Sequence, residues 1–309
     1  MSTHIVSSAA LERARVSLEG LSVGDAFGKT FFMTPELAEN LIAQNFWPGA
    51  AFLFDDEIIM RVIDERILSP FLPWRWTDDS EMAFSIFKVL REHGEIVPAE
   101  LAKSFSENFN IERAYGAAMH ELLPQLAEGN YSAASELFDG DGSWGNGAAM
   151  RVAPVGAFFA DDLDAAIENA RRSALVTHAH DEAVAGAIAV AVATALSWQK
   201  RGCEYSHGKG FIEEVLRYVP RSEVSAGIEK SLELEDEAAA QDAAEFLGSG
   251  ENISAFNTVP FCIWCAAQYL DYFDEALWLT VAGLGDRDTT CAIVGGIVAP
   301  FGGLESIPI

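Results

Sequence analysis

Apolar positions along this chain recur at helical spacing almost throughout. In 81–94, Met82, Ile86, Val89 and Leu90 stand at i, i+4, i+7 and i+8 among charged residues, and Gly94 supplies the stop. Segments 11–28, 111–129 and 162–178 keep the same period, so each predicts an amphipathic helix. Run 183–198 is apolar on every face and alanine-rich, which predicts a helix buried on all sides; it is too short for a convincing membrane span. Segment 256–283 predicts a long apolar helix with Pro260 in its first turn. The acidic stretch 227–250 predicts a solvated helix or loop. Sustained β alternation, a βαβ unit, a fixed-period repeat and a Pro- or Ser-rich linker are all missing, so the expectation is one all-α domain over 1–309.

Composition agrees with a packed globule. Hydrophobic residues make up 50% of 309 and charged residues 22%, which excludes intrinsic disorder. Lys and Arg number 20 against 47 Asp and Glu, a net charge of −27. A field of that sign repels polyphosphate, so direct nucleic-acid binding is not expected, and no membrane partner is expected either. Four cysteines (Cys203, Cys262, Cys265 and Cys291) are too few to staple a chain of this size, and the simplest setting is a reducing cytoplasm. The first twenty residues lack the basic start and apolar run of a signal peptide.

Two acidic clusters, Thr77-Asp78-Asp79-Ser80-Glu81 and Asp286-Arg287-Asp288-Thr289, each sit where a loop becomes a helix. Singly, each reads as helix capping: Asp78 with Glu81 has capping-box spacing, and Asp288 or Thr289 can cap the last helix. Together they offer paired carboxylates and threonine hydroxyls, all hard oxygen donors. Adjacent carboxylates repel unless a cation lies between them, so oxygens from two helix starts, completed by water, could hold one or two Mg²⁺ or Mn²⁺ ions. The spacing excludes an EF-hand, since the ligands and glutamate expected after Asp286 and Asp288 are missing.

Three further features bear on chemistry. Gly140-x-Gly142-x-x-Gly145 has dinucleotide-fingerprint spacing, but a helical segment precedes it where a strand is required. The same run, through Asn146 and Gly147, either forms a plain tight loop or brings backbone amides close to a diphosphate. His178 is read at the start of the apolar helix, as a capping or packing residue or as a ligand contact. Cys262-x-x-Cys265 lies within a helical pattern without the further ligands a structural zinc needs.

Taken in order, the motifs 20–28 (Gly20, Gly24, Asp25, Gly28), 76–80, 145–151 (Gly145-Asn146-Gly147 to Met150-Arg151), Thr177-His178 and 285–289 closely resemble those of the ADP-ribosylglycohydrolases, over about Gly20 to Gly296. These are relatives of the dinitrogenase reductase-activating glycohydrolase and of the arginine- and serine-specific eukaryotic hydrolases. The resemblance implies a compact orthogonal helical domain with a binuclear Mg²⁺ (or Mn²⁺) centre at the mouth of a cleft. By motif, Thr77, Asp78, Asp79, Asp286, Asp288 and Thr289 would be metal ligands, with Asp78, Asp79 and Asp288 catalytic. Gly145, Asn146, Gly147, His178 and Asp25 would bind the substrate, with Asp25 either touching metal there or only ordering its loop. The implied partner is ADP-ribose or an ADP-ribosylated protein, and the implied reaction is release of ADP-ribose; a non-hydrolytic ADP-ribose binder or a structural member of the fold is the alternative. Three departures stand out: Arg287 replaces the common threonine, Ser80 replaces a frequent threonine, and Lys29-Thr30-Phe31-Phe32 lacks the glutamate some relatives place there as acid/base.

Overall fold

Between Thr77 and Gly94 the apolar spacing closes into a helix, Asp78–His93, with Met82, Ile86, Val89 and Leu90 all buried. Gly94, at φ 73°, returns its N–H to Leu90 O and ends the helix. The computed structural model describes residues 6–33, 40, 55–68, 74–203 and 208–308. In chain order the helices are α1 (Ser8–Lys29), α2 (Asp55–Asp64), α3 (Asp78–His93), α4 (Pro98–Asn108), α5 (Ala117–Ala127), α6 (Ala133–Glu136), α7 (Ala153–Phe158) and α8 (Leu163–Leu175). They continue as α9 (Asp181–Gln199), α10 (Lys209–Leu216), α11 (Glu223–Lys230), α12 (Ala240–Leu247), α13 (Ala255–Gln268), α14 (Phe273–Val281) and α15 (Arg287–Gly302). Among the described residues there is no β-strand, so the fold is all-α.

Helix α9 runs through the middle, buried from Ala185 to Ser197 on every face. Its length and composition alone would let it cross a membrane, but here it is core. It packs on α7, α8, α13 and α15, and one continuous apolar cluster draws on α1 through α15.

The contact that matters most for function joins α1 to α15. A Cβ on Gly20, Gly24 or Gly28 would stand 2.5, 2.0 or 2.1 Å from the carbonyl oxygens of Gly295, Cys291 and Arg287. The glycine stripe, one residue per helical turn, therefore lets two helices lie backbone against backbone in antiparallel sense. That register delivers the start of α15 to the end of α1.

Several local expectations are corrected. Segment 256–283 forms two helices, broken at 269–272, and Pro260 lies six residues into α13 rather than in its first turn. Its ring packs where a Cβ on Gly227 would stand, 2.5 Å away. Segment 111–129 is a 3₁₀ turn and then α5, separated at Ala114, whose φ of 66° is left-handed. The acidic stretch is only partly solvated: Ala240, Ala243 and Leu247 of α12 are buried. The cap of α9 is His180, whose Nδ1 accepts from Glu182 N, and not His178.

Candidate active site

The starts of α3 and α15 meet through Asp25, one turn before the end of α1. Asp25 is fully buried, and its Oδ2 accepts from Thr77 N (2.8 Å), Ser80 N (3.2 Å) and Ser80 Oγ (2.6 Å). Its Oδ1 lies 2.9 Å from the Thr77 hydroxyl. A carboxylate thus satisfies amides that no intrahelical carbonyl can reach at a helix start. The expectation of Asp25 as a substrate contact is corrected: it lies beneath the cleft and orders the α3 loop. The capping-box reading of Asp78 with Glu81 is corrected as well. The cap is Thr77, whose Oγ1 is 3.4 Å from Asp79 N, while Glu81 Oε1 accepts from Asn110 N and the Tyr115 hydroxyl.

Above Asp25 opens a cavity of 320 Å³. Asp78, Asp79, Asp286, Asp288 and Thr289 line one end, so the two acidic clusters, some two hundred residues apart, share a single site. Gly145, Asn146, Gly147 and His178 line the other side, and Phe138, Trp144 and Ile253 form a half-exposed apolar lip. The rings of Phe138 and Trp144 lie 5.0 Å apart. Ala114, Phe138 and Ile253, which line this cavity, hold left-handed φ angles of 66°, 53° and 52°, conformations that cost a non-glycine residue energy. Thr77 does not line this cavity; its hydroxyl lies 2.7 Å from Asp79 Oδ2 and acts through that carboxylate.

The cluster is electrostatically frustrated. Burial, then the charge of Asp288, pushes the Asp78 carboxyl up to about 8. Burial and Asp288 push Asp286 up to about 7, and burial pushes Asp25 up to about 6. Asp79 is raised well above the carboxylate range by burial and by Asp25 and Asp78. The single Thr77 hydrogen cannot serve Asp25 and Asp79 at once, so without a cation one of those carboxyls keeps a proton. Protein groups relieve part of this charge: Lys29 Nζ sits 3.1 Å from Asp288 Oδ2, and Asn146 Nδ2 donates to Asp286 Oδ2 at 2.8 Å. Among the described residues, no three acidic, His or Cys side chains converge as a ready cage for one ion. The donor set nevertheless fits a hard divalent cation: it is all oxygen, mutually repelling, and Asp79 Oδ1 is buried without a hydrogen-bond partner.

His178 is neutral, because burial and then the Arg151 charge hold its imidazole down to about 3. Its tautomer follows from its neighbours. Arg151 is fully buried under the Phe105 ring, and its Nη2 donates to Ser173 O (3.0 Å) and Thr177 Oγ1 (2.8 Å). A guanidinium only donates, so Thr177 accepts from it, and the hydroxyl hydrogen, with no other acceptor among the described residues, goes to His178 Nδ1, 2.7 Å away. Nε2 then carries the ring hydrogen and, among the described residues, has no partner; the cavity receives a neutral N–H donor. A Cβ on Gly147 would stand 2.8 Å from the His178 ring, so this glycine admits the histidine rather than a ligand directly.

Sequence reasoning missed three participants. Lys29 follows a glycine motif and carries no local sign that it will reach Asp288, 259 positions away. Arg151 ends one motif and Thr177 begins the next, and their roles became visible only with the packing. Arg287, which stands between two of the carboxylates in sequence, donates from Nη1 to Phe31 O at 2.8 Å, and its guanidinium lies 4.4 Å over the Phe32 ring.

Comparison with known proteins shows the family and the fold. The family model described as ADP-ribosylglycohydrolase matches residues 7–309. ADP-ribosylhydrolase ARH3 of Xenopus tropicalis is 30% identical, covering 98% of this chain and 90% of its own length. Human ADP-ribosylhydrolase ARH3 is 27% identical over 75% of this chain and 72% of its own. A solved structure described as an ADP-ribosylglycohydrolase-related protein complex superposes with a TM-score of 0.62 at 22% identity, covering 98% of this chain and 91% of that one, which shows the shared fold. With a whole-length family match and two distant acidic helix starts opening on one cleft, the chain belongs to the ADP-ribosylglycohydrolase family.

Proposed function

We propose that this chain hydrolyses the glycosidic bond of ADP-ribosylated substrates and releases ADP-ribose, with a pair of Mg²⁺ (or Mn²⁺) ions as cofactor. The observation that carries the reading is the shared cavity: an oxygen-donor cluster at one end, a neutral histidine and the Gly145–Gly147 loop beside it, and an aromatic lip at the mouth. Asp78, Asp79, Asp286, Asp288 and Thr289 would hold the ions, with Thr77 steadying Asp79. When bound, the ions would supply positive charge to ribose oxygens and to the developing charge at the anomeric carbon.

The chain's own residues do the rest. Asp25 fixes the backbone at Thr77 and Ser80, so Asp78 and Asp79 leave a rigid helix start rather than a mobile loop. His178 Nε2–H donates to a substrate oxygen and stays neutral through the physiological range, so it orients without adding charge. Phe138 and Trp144 offer flat faces for a base at the cavity mouth. Residues 137–147 enclose that side and limit water access to the bond.

One observation favours a second reading. Lys29 pairs with Asp288, as an internal cation would in a protein that binds ADP-ribose without cleaving it. A panel of ADP-ribosylated arginine, serine, nucleic-acid and small-molecule substrates, assayed for ADP-ribose release in Mg²⁺, Mn²⁺ and EDTA, separates the two. Turnover should require metal, and Asp78→Ala and Asp288→Ala should abolish it while retaining the helical circular-dichroism spectrum. Full activity in EDTA would refute the metal; ADP-ribose binding with no release from any substrate would establish the second reading.

A further inference from the structure

Beside the cleft lies a second basin of 500 Å³ with the opposite charge. Lys29, Arg75 and Arg113 converge there, although the chain has only 20 Lys and Arg against 47 Asp and Glu; Glu112 is the carboxylate in its wall among the described residues. Arg113 is held rigidly. Its guanidinium stacks 3.3 Å over the Trp76 ring, Nη1 donates to Trp76 O at 2.8 Å, and Nε faces Glu81 at 3.9 Å. Trp76 is itself braced edge-on by Phe84. Arg75 is exposed and has no ion pair among the described residues. The basin adjoins the acidic end of the cleft: Ala114 lines both cavities, Thr77 in the basin wall bonds Asp79, and Lys29 reaches Asp288.

We propose that this basin receives an acidic side chain of the peptide that carries the ADP-ribosyl group, on the leaving-group side of the scissile bond. The proposal rests on the reading of the cleft as an ADP-ribosyl hydrolase site. If ADP-ribose fills the cleft with its anomeric carbon at the carboxylates, the leaving portion departs past the rim where the basin starts. The exposed Arg75 guanidinium suits bidentate pairing with a carboxylate, and Arg113, fixed by Trp76, is pre-organised to add a further donor, so little side-chain freedom is lost on binding. A polyanion is disfavoured, since a net charge of −27 repels it at long range, and with Lys29 paired to Asp288 the two guanidiniums suffice for a single carboxylate.

The test measures binding of unmodified peptides by fluorescence anisotropy, with no hydrolysis required. Short serine-centred peptides flanked by Asp and Glu should bind, and lysine-flanked counterparts should not. Arg75→Glu should weaken the acidic peptides roughly fivefold, and Arg75→Gln less. The same Arg75→Glu should gain affinity for the lysine-flanked peptide, a rescue that a folding defect cannot produce. Equal binding of the two peptide classes, or unchanged affinity in Arg75→Glu, would overturn the proposal; tighter binding of a phosphorylated oligonucleotide than of any peptide would overturn it in favour of nucleic acid. Selective acidic-peptide binding with no ADP-ribose release from any substrate would support the basin and refute the enzymatic reading instead.

Discussion

Raising the pH from 7 to 8 in the presence of a chelator should destabilise this protein, and divalent cation should reverse the loss. Asp78 and Asp79 lie well above the ordinary carboxylate value, because burial and mutual repulsion penalise their charge. A group whose folded pKa is raised contributes stability below its unfolded pKa and loses it as pH climbs through the folded value. In the unfolded chain both are fully ionised by pH 7, so folding retains up to two protons that the unfolded state does not bind. With Asp78 at about 8, its proton alone makes the step from pH 7 to 8 cost about 1 kcal/mol, and Asp79 acts in the same direction. Asp286, at about 7, adds to the loss in the same direction, while Glu168, held at about 2 by Arg171 and Arg172, and His178, held at about 3, do not change state there in the folded protein. Arg151, lowered by burial to about 9, stays mostly charged. For a chain of this length that loss corresponds to a Tm fall of roughly 2 °C. Mg²⁺ at a hundred times its Kd should return about 2.7 kcal/mol, enough to restore the midpoint. Thermal unfolding followed at 222 nm by circular dichroism (~222 nm being the helical band) at the two pH values, with EDTA or Mg²⁺, reads both effects. A midpoint in EDTA that is unchanged or higher at pH 8, with no response to Mg²⁺, would show that the carboxylates are neither crowded nor metal-seeking.

Three further outcomes follow from named contacts. Lys29→Met removes the ammonium 3.1 Å from Asp288 and should tighten Mg²⁺ binding roughly tenfold, measured by calorimetry, because the ion no longer displaces an internal cation; unchanged affinity would mean that Lys29 and the metal do not compete. Thr177→Val takes away the hydrogen given to His178 Nδ1 and should move the ring proton between nitrogens, visible in histidine side-chain ¹⁵N spectra; an identical spectrum would disprove the Arg151–Thr177–His178 relay. Gly24→Ala places a Cβ 2.0 Å from Cys291 O and should cost about 3 kcal/mol in urea unfolding, since two packed backbones must part; a loss below about 1 kcal/mol would show that the α1–α15 contact yields easily.

The helices were legible because their signal is local. Met82, Ile86, Val89 and Leu90 share one face at any register of the rest of the chain, and Gly94 ends the helix by its own φ. The two acidic clusters were equally readable as helix starts carrying oxygen donors. In the apolar run 256–283 the pattern does not mark the break at 269–272 or place Pro260, because burial replaces periodicity as the determinant, and in the amphipathic 111–129 it does not mark the left-handed Ala114. His178 was assigned to the wrong turn for a related reason, as His180 offers the same cap chemistry two residues on.

By itself the amino-acid sequence determined the all-α class, the acidic character, the identity of the oxygen donors and the glycines that permit close approach. Tertiary structure alone decided that Asp25 faces the α3 amides and not the cleft, that Lys29 answers Asp288, that Arg287 turns to Phe31, and that Arg151 sets the histidine tautomer. Each of these depends on which groups meet across long chain separations inside a low-dielectric core. Charge and hydrogen-bond demands there are satisfied by whatever neighbour packing supplies, and linear order does not encode that neighbour.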